Sequence, residues 1–283
     1  MNKRSSVFSA LTVDVEDYFH VAAFERNIVP ADWDKMPARV EKNTHQLLDL
    51  FDTHDAKATF FMLGWVAERF PGLVREVQQR GHEVASHGYN HGKASSQTPD
   101  EFLQDISLAK ALLEDITGNP VTGYRAPSFS IGKQNEWAFS ALKQAGYQYS
   151  SSTYPVVHDL YGTPDWPQQP YLRSEGIWEC PMPVLSMLGR QLPIAGGGYF
   201  RLLPYWLTRR LISRYVAQKD IPYMFYCHPW EIDPEQPRIA DAPLKSRFRH
   251  YVNLGRMEAK IGCLLQDFNW RSVNQVYQPY FNS

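Results

Sequence analysis

Apolar runs and amphipathic stretches alternate along this chain. Residues 7–13 form a short apolar run that stops at the acidic cluster Asp14, Glu16 and Asp17. A run of that length with a polar boundary predicts a buried strand. From residue 39 to 51, Val40, Leu47, Leu48 and Phe51 recur at helical spacing. Residues 58–63 predict a second strand. Residues 65–80 predict a helix broken near Pro71 and closed by Gly81. Residues 82–86 predict a third strand. Thr98-Pro-Asp-Glu opens a helix to about residue 116, with Gly118 and Pro120 as stop signals. Residues 122–125 and 147–151 read as extended, with a helix at 135–145 between them, closed by Gly146.

The second half is less regular. Pro155, Pro164, Pro167 and Pro170 mark residues 154–175 as an irregular excursion. A strand is predicted at 177–180, a tight turn at Gly196-Gly-Gly, a helix at 204–218, and an aromatic strand at 221–226 that runs into Cys227-His228-Pro229. One long helix is predicted over 245–266. No internal repeat is present. Repeated strand–helix alternation predicts a parallel α/β architecture. Asp14, His87, Arg125 and His228 then fall at the C-terminal ends of strands, the face that holds the active site of an α/β barrel.

The segment Glu83-Val-Ala-Ser-His87-Gly-Tyr-Asn-His91 carries the most chemistry. Two histidines four apart can aim at one point if residues 88–91 form a helical turn. With a carboxylate from the first strand end and one position left for water, they have the composition of a hydrolytic metal site.

Bulk composition narrows the choices. The 283 residues can bury one large core or two modest ones. A net charge of −1 points to no nucleic-acid partner. Cys180, Cys227 and Cys263 are odd in number and far apart, which is no disulfide framework. No apolar core of a signal peptide precedes Asp14, and no run approaches the roughly eighteen apolar residues of a spanning helix. The expected location is cytoplasmic, with no transmembrane segment.

In this order the motifs resemble the NodB-type polysaccharide deacetylases, carbohydrate esterase family 4. Thr12-Val-Asp14-Val-Glu16-Asp17 resembles the motif supplying the base and a metal-binding acid. Ser86-His87-Gly-Tyr-Asn-His91 resembles the one supplying two metal histidines. Tyr124-Arg125-Ala-Pro127-Ser128 resembles the one lining the groove, and Cys227-His228 the one whose histidine acts as acid. Val13-Asp-Val-Glu-Asp-Tyr-Phe and His228-Pro-Trp-Glu are similar to a bacterial subgroup found with exopolysaccharide and exosortase loci. The resemblance implies a distorted (β/α) barrel of about seven strands over residues 1–231, including a loop excursion at 154–205, and a C-terminal extension at 232–283 packed on it.

It also implies a function: metal-dependent removal of N-acetyl groups from a sugar or polysaccharide intermediate in exopolysaccharide biosynthesis. Asp14 would be the base, His228 the acid, and Arg125 the residue orienting Asp14. His87, His91 and an acid would hold one divalent ion, zinc first, with cobalt, nickel or manganese as alternatives. Pro127 and Ser128 would border the oxyanion. Apart from the resemblance, the tight turn at Gly196-Gly-Gly is expected to bring Tyr199 and Arg201 over the rim toward an N-acetylated saccharide. Two departures stand out. Val15 separates Asp14 from the next acid, so the ligand is Glu16 or Asp17, and strand alternation favours Glu16. Ser150 stands where the family's fourth motif carries an acid. Two other readings fit the same residues: an amidohydrolase of small cyclic amides or imides, and an inactive polysaccharide-binding barrel.

Overall fold

The computed structural model describes residues 7–158, 162–187, 189–218 and 221–282. Its first half alternates regularly: β1 (Phe8–Val15), α1 (Val40–Thr53), β2 (Thr59–Met62), α2 (Gly64–Arg69), α3 (Pro71–Gln79), β3 (Glu83–Ser86), α4 (Pro99–Thr117), β4 (Gly123–Tyr124), α5 (Trp137–Gln144) and β5 (Tyr149–Ser150). The second half continues with β6 (Tyr171–Leu172), β7 (Trp178–Glu179), β8 (Val184–Met187), β9 (Arg190–Pro193), α6 (Gly197–Leu202), α7 (Tyr205–Gln218), β10 (Met224–Cys227), α8 (Leu244–Tyr251), α9 (Met257–Asp267), β11 (Asn269–Arg271) and α10 (Val273–Phe281).

Local chemistry explains the boundaries. Pro71 ends α2 and begins α3, because proline has no N–H to give to a preceding turn. Thr98 and Glu101 form a reciprocal capping box at the start of α4, and Gly118 closes that helix at φ 66°.

The main sheet runs in the order β10-β1-β2-β3-β4-β5-β7-β6, with β11 paired to the start of β1. From β10 to β7 every pairing is parallel, and β6 adds an antiparallel edge. The sheet is strongly curled. β1 and β4 are three spacings apart, roughly 14 Å in a flat sheet, yet Arg125 at the end of β4 touches Asp14 on β1. The fold is therefore a distorted, open α/β barrel. Strand alternation sorts its two cores. On β1, Leu11, Val13 and Val15 join the large core beneath the helices. Ala10, with Phe61, Ala85, Met182, Met224 and Tyr226, fills the inside of the curl. Thr12 and Asp14 share that inner face.

Three expectations change. The helix expected over 245–266 is two helices, because Asn253 takes a left-handed φ of 54° between them. The excursion at 154–205 holds, beside the strand expected at 177–180, elements that were not expected: β6, the β8–β9 antiparallel pair and α6. Finally, β11 and α10 were not anticipated. A three-residue strand is too short to show periodicity, and α10 carries an internal proline, Pro279. Among the described residues no helix is long and apolar enough to cross a membrane. The three cysteines are free, Cys180 and Cys227 buried and Cys263 exposed.

Candidate metal centre and active site

Glu16, His87 and His91 each bring a ligand atom to one place, all within 4.8 Å of one another. Three different structural devices put them there. Glu16 follows the last residue of β1, two positions after Asp14, and so faces inward with it. His87 follows the last residue of β3. Its Nδ1 lies 2.9 Å from the carbonyl of Arg125. A carbonyl only accepts, so Nδ1 carries the proton and Nε2 is left as a lone-pair donor. Burial pushes the His87 pKa down to about 4, which keeps the ring neutral, as a ligand must be.

His91 arrives by a loop rather than the helical turn that its spacing suggested. Gly88 has φ 76° and His91 φ 54°. The Asp105 carboxylate on α4 accepts the backbone N–H of Tyr89 at 2.8 Å and of Asn90 at 3.2 Å. Those N–H groups are held by a side chain instead of a helix ladder. A Cβ at position 88 would stand 2.8 Å from the same carboxylate, so glycine is required there. Asp105 gave no signal in the sequence, since its role depends on α4 passing beside this loop.

The Glu16 Oε2 lies 2.5 Å from His91 Nε2. Burial raises the Glu16 pKa, but the imidazoles of His91, His228 and His87 outweigh it and hold the carboxyl well below its ordinary value. The alternative acid, Asp17, is turned away. Its Oδ2 accepts the backbone N–H groups of Arg39 and Val40 at 2.6 and 2.8 Å, and its Oδ1 that of Tyr18 at 2.9 Å. Asp17 thus caps the start of α1 and ties it to the end of β1.

Asp14 and His228 flank the cluster. Arg125, fully buried, donates from Nη1 to Asp14 Oδ1 at 2.6 Å and to Thr12 Oγ1 at 2.8 Å. Its Nε and Nη2 donate to the carbonyl and hydroxyl of Ser151, both at 3.1 Å, and the guanidinium lies 4.2 Å from the Phe61 ring centroid. His228 Nε2 stands 3.6 Å from Glu16 Oε1 and 4.0 Å from Asp14 Oδ2. Burial lowers the His228 pKa, yet Glu16, Glu231 and Asp14 together push it up to about 9. The imidazole stacks on Trp230, with centroids 5.1 Å apart.

These groups open into a cavity of about 160 Å³. Its remaining wall is largely apolar: Val21, Ala22, Ala126, Phe129 and Trp230. Ser128 also lines it, at φ 55°. A non-glycine residue in that region costs on the order of 1–3 kcal/mol, and such strain concentrates at functional sites. Pro127 is buried just before it. Tyr199 and Arg201 do not line this cavity among the described residues. Arg201, expected at the sugar rim, is buried and paired with Glu231, because the buried side of α6 turns its guanidinium toward that carboxylate and the carbonyls at the end of α8. The acid absent at Ser150 has a neighbour instead: Glu179 on β7 is buried and accepts the N–H groups of Ser152 and Thr153, each at 2.9 Å. A larger cavity of about 300 Å³ lies at the opposite end of the sheet, around Glu83, Thr122 and Asn274, away from Glu16, His87 and His91.

Residues 24–150 match a family described as polysaccharide deacetylase, and residues 151–278 match one described as Domain of unknown function (DUF3473). A peptidoglycan-N-acetylglucosamine deacetylase of Bacillus cereus is 38% identical over 105 residues, covering 37% of this chain and 47% of that protein. One from Listeria monocytogenes is 35% identical over 91 residues, covering 32% of this chain and 20% of that protein. The chain thus spans less than half of these relatives. A Mycobacterium smegmatis protein named as a candidate polysaccharide deacetylase has a similar fold, with a TM-score of 0.59, 17% identity, and coverage of 99% of this chain and 94% of that one.

Proposed function

We propose that this chain, whose residues 24–150 match the polysaccharide deacetylase family, is a metal-dependent hydrolase that removes N-acetyl groups from a saccharide. The observation that carries this reading is the convergence of Glu16, His87 and His91 beside an Arg125-held Asp14 and a cation-favouring His228. Two neutral-capable imidazoles and one carboxylate suit a zinc-class divalent ion and leave room for a water. When bound, such an ion supplies Lewis acidity that lowers the pKa of water and polarises an acyl oxygen.

The protein's own groups divide the remaining work. Arg125 holds one oxygen of Asp14, so the other is aimed into the cavity, where it takes a proton from the attacking water. The water oxygen adds to the acetyl carbon, and the wall at Ser128 borders the oxygen that becomes negative. The C–N bond then breaks as the His228 imidazolium gives its Nε2 proton to the departing nitrogen. The products are acetate and an amine. The apolar wall of Val21, Ala22 and Phe129 excludes competing water and accommodates a methyl group.

The resemblance of the first-strand and His228 motifs to exopolysaccharide-locus proteins supports an N-acetylated exopolysaccharide intermediate as the substrate. The test is acetate release from a panel of N-acetylated saccharides by protein loaded with zinc, cobalt, nickel or manganese, beside protein stripped by chelation. Acetate from the loaded form alone is the expected result. Ring opening of cyclic imides without acetate, or saccharide binding without turnover, would replace this reading.

A further inference from the structure

Arg201 and Glu231 form an ion pair nearly sealed from water, with side chains 2% and 1% exposed and Nε donating to Oε1 at 3.0 Å. The arginine is pinned from behind. Its Nη1 donates to the carbonyls of His250 and Val252 at 2.6 and 2.9 Å, and its Nη2 to that of Arg249 at 3.1 Å. These carbonyls lie at the C-terminal end of α8, where a helix leaves acceptors without internal partners. The second carboxylate oxygen is turned to His228. Oε2 accepts the His228 backbone N–H at 3.1 Å and faces Nδ1 at 3.4 Å. Gly197 makes room for it, since a Cβ there would stand 1.9 Å from Oε2. Trp230 covers one face of the imidazole, its ring plane inclined by 18°. A buried ion pair is a poor source of stability, because desolvation offsets most of its attraction. What distinguishes this one is the ring that it faces.

We propose that the Arg201–Glu231 pair is a positioning device for His228, holding Nδ1–H toward Oε2 and thereby turning Nε2 into the cavity. The proposal rests on the deacetylase reading, in which His228 protonates the leaving nitrogen. A carboxylate only accepts hydrogen bonds, so the neutral ring keeps its proton on Nδ1. Nε2 is then the nitrogen that collects and delivers the transferred proton. Gly197, Arg201, His228, Trp230 and Glu231 all lie within residues 151–278, the segment matching a family without an assigned function. That segment thus carries the proton donor together with the structure that aims it.

The test uses the full metal-loaded chain and two substrates. One is an N-acetylated chito-oligosaccharide, whose amine must be protonated to leave. The other is 4-nitrophenyl acetate, whose phenolate leaves without a proton. Glu231→Gln should lower kcat on the saccharide by about 10- to 100-fold with KM little changed. It should lower ester turnover by less than about 2-fold, and cost nothing further in a His228→Ala background. Arg201→Lys should recover part of the loss seen in Arg201→Met. Equal losses on both substrates, or additive losses with His228→Ala, would overturn the proposal. Nitrogen-15 spectra of the wild-type imidazoles at a pH where His228 is neutral give a check that needs no variant: Nδ1–H supports it, and Nε2–H overturns it. Wild-type protein that shows Nδ1–H but releases no acetate would sink the deacetylase reading and leave the positioning geometry standing.

Discussion

Arg125, at the end of β4, places Nη1 2.6 Å from Oδ1 of Asp14, at the end of β1, across the mouth of the curled sheet. With Arg125 fully buried and its other nitrogens on Ser151, this contact sets the direction of the Asp14 carboxylate. Asp14→Asn should therefore lose at least about 10²-fold in turnover while metal content is unchanged. Steady-state kinetics with elemental analysis of the same preparation would check this. Near-normal turnover removes Asp14 from the proton-transfer role.

Metal binding should depend on Glu16, His87 and His91 together. Alanine at any one of them should lower zinc stoichiometry, and a chelator should abolish activity that added zinc restores. Unchanged stoichiometry in both histidine variants would show that the cluster is a hydrogen-bonded network and not a metal centre.

Asp17 should behave oppositely to Glu16. In Asp17→Ala the first N–H groups of α1 lose their acceptor, which costs about 1–2 kcal/mol. For a chain of this size the melting temperature should fall by several degrees, with metal content retained. Lost metal at an unchanged melting temperature would transfer the ligand role from Glu16 to Asp17.

Two histidines outside the Glu16–His87–His91 cluster should make the fold acid-labile. Burial holds His82 at about 4 and His250 at about 3, against an ordinary 6.5. Both values are depressed in the folded chain. The unfolded chain therefore binds more protons below pH 6.5, and stability falls as pH drops from 6.5 toward 4 and 3. For His82 the full effect is about 3 kcal/mol. Urea melts at pH 7.5, 6 and 5 should show the decline, and His82→Gln should reduce it. A flat profile in the wild type would contradict the buried neutral rings.

The parallel α/β architecture and the strand ends bearing Asp14, His87, Arg125 and His228 were legible because both rest on local rules. Alternation with period two places side chains on one face, and strand–helix repetition forces parallel pairing. The same alternation favours Glu16 over Asp17, and Glu16 is the acid that lies with His87 and His91. The break at Pro71 and the capping box at Thr98 are equally local. By contrast, the two-helix form of residues 244–267 turns on a left-handed Asn253, which many residue types can avoid or adopt according to their surroundings.

What the chain order alone determined is therefore the candidate groups Asp14, His87, His91 and His228 and the face of the sheet that presents them. What only the tertiary structure decided is how they are held. Asp105 fixes the His91 loop from α4, Arg125 reaches past two strands to Asp14, and Arg201 and Glu231, 30 positions apart, close on His228. These contacts are set by the curl of the sheet and the packing of α4, α6 and α8 around it. Neither has a periodic signature in the sequence, because each depends on distances between elements rather than on spacing within one.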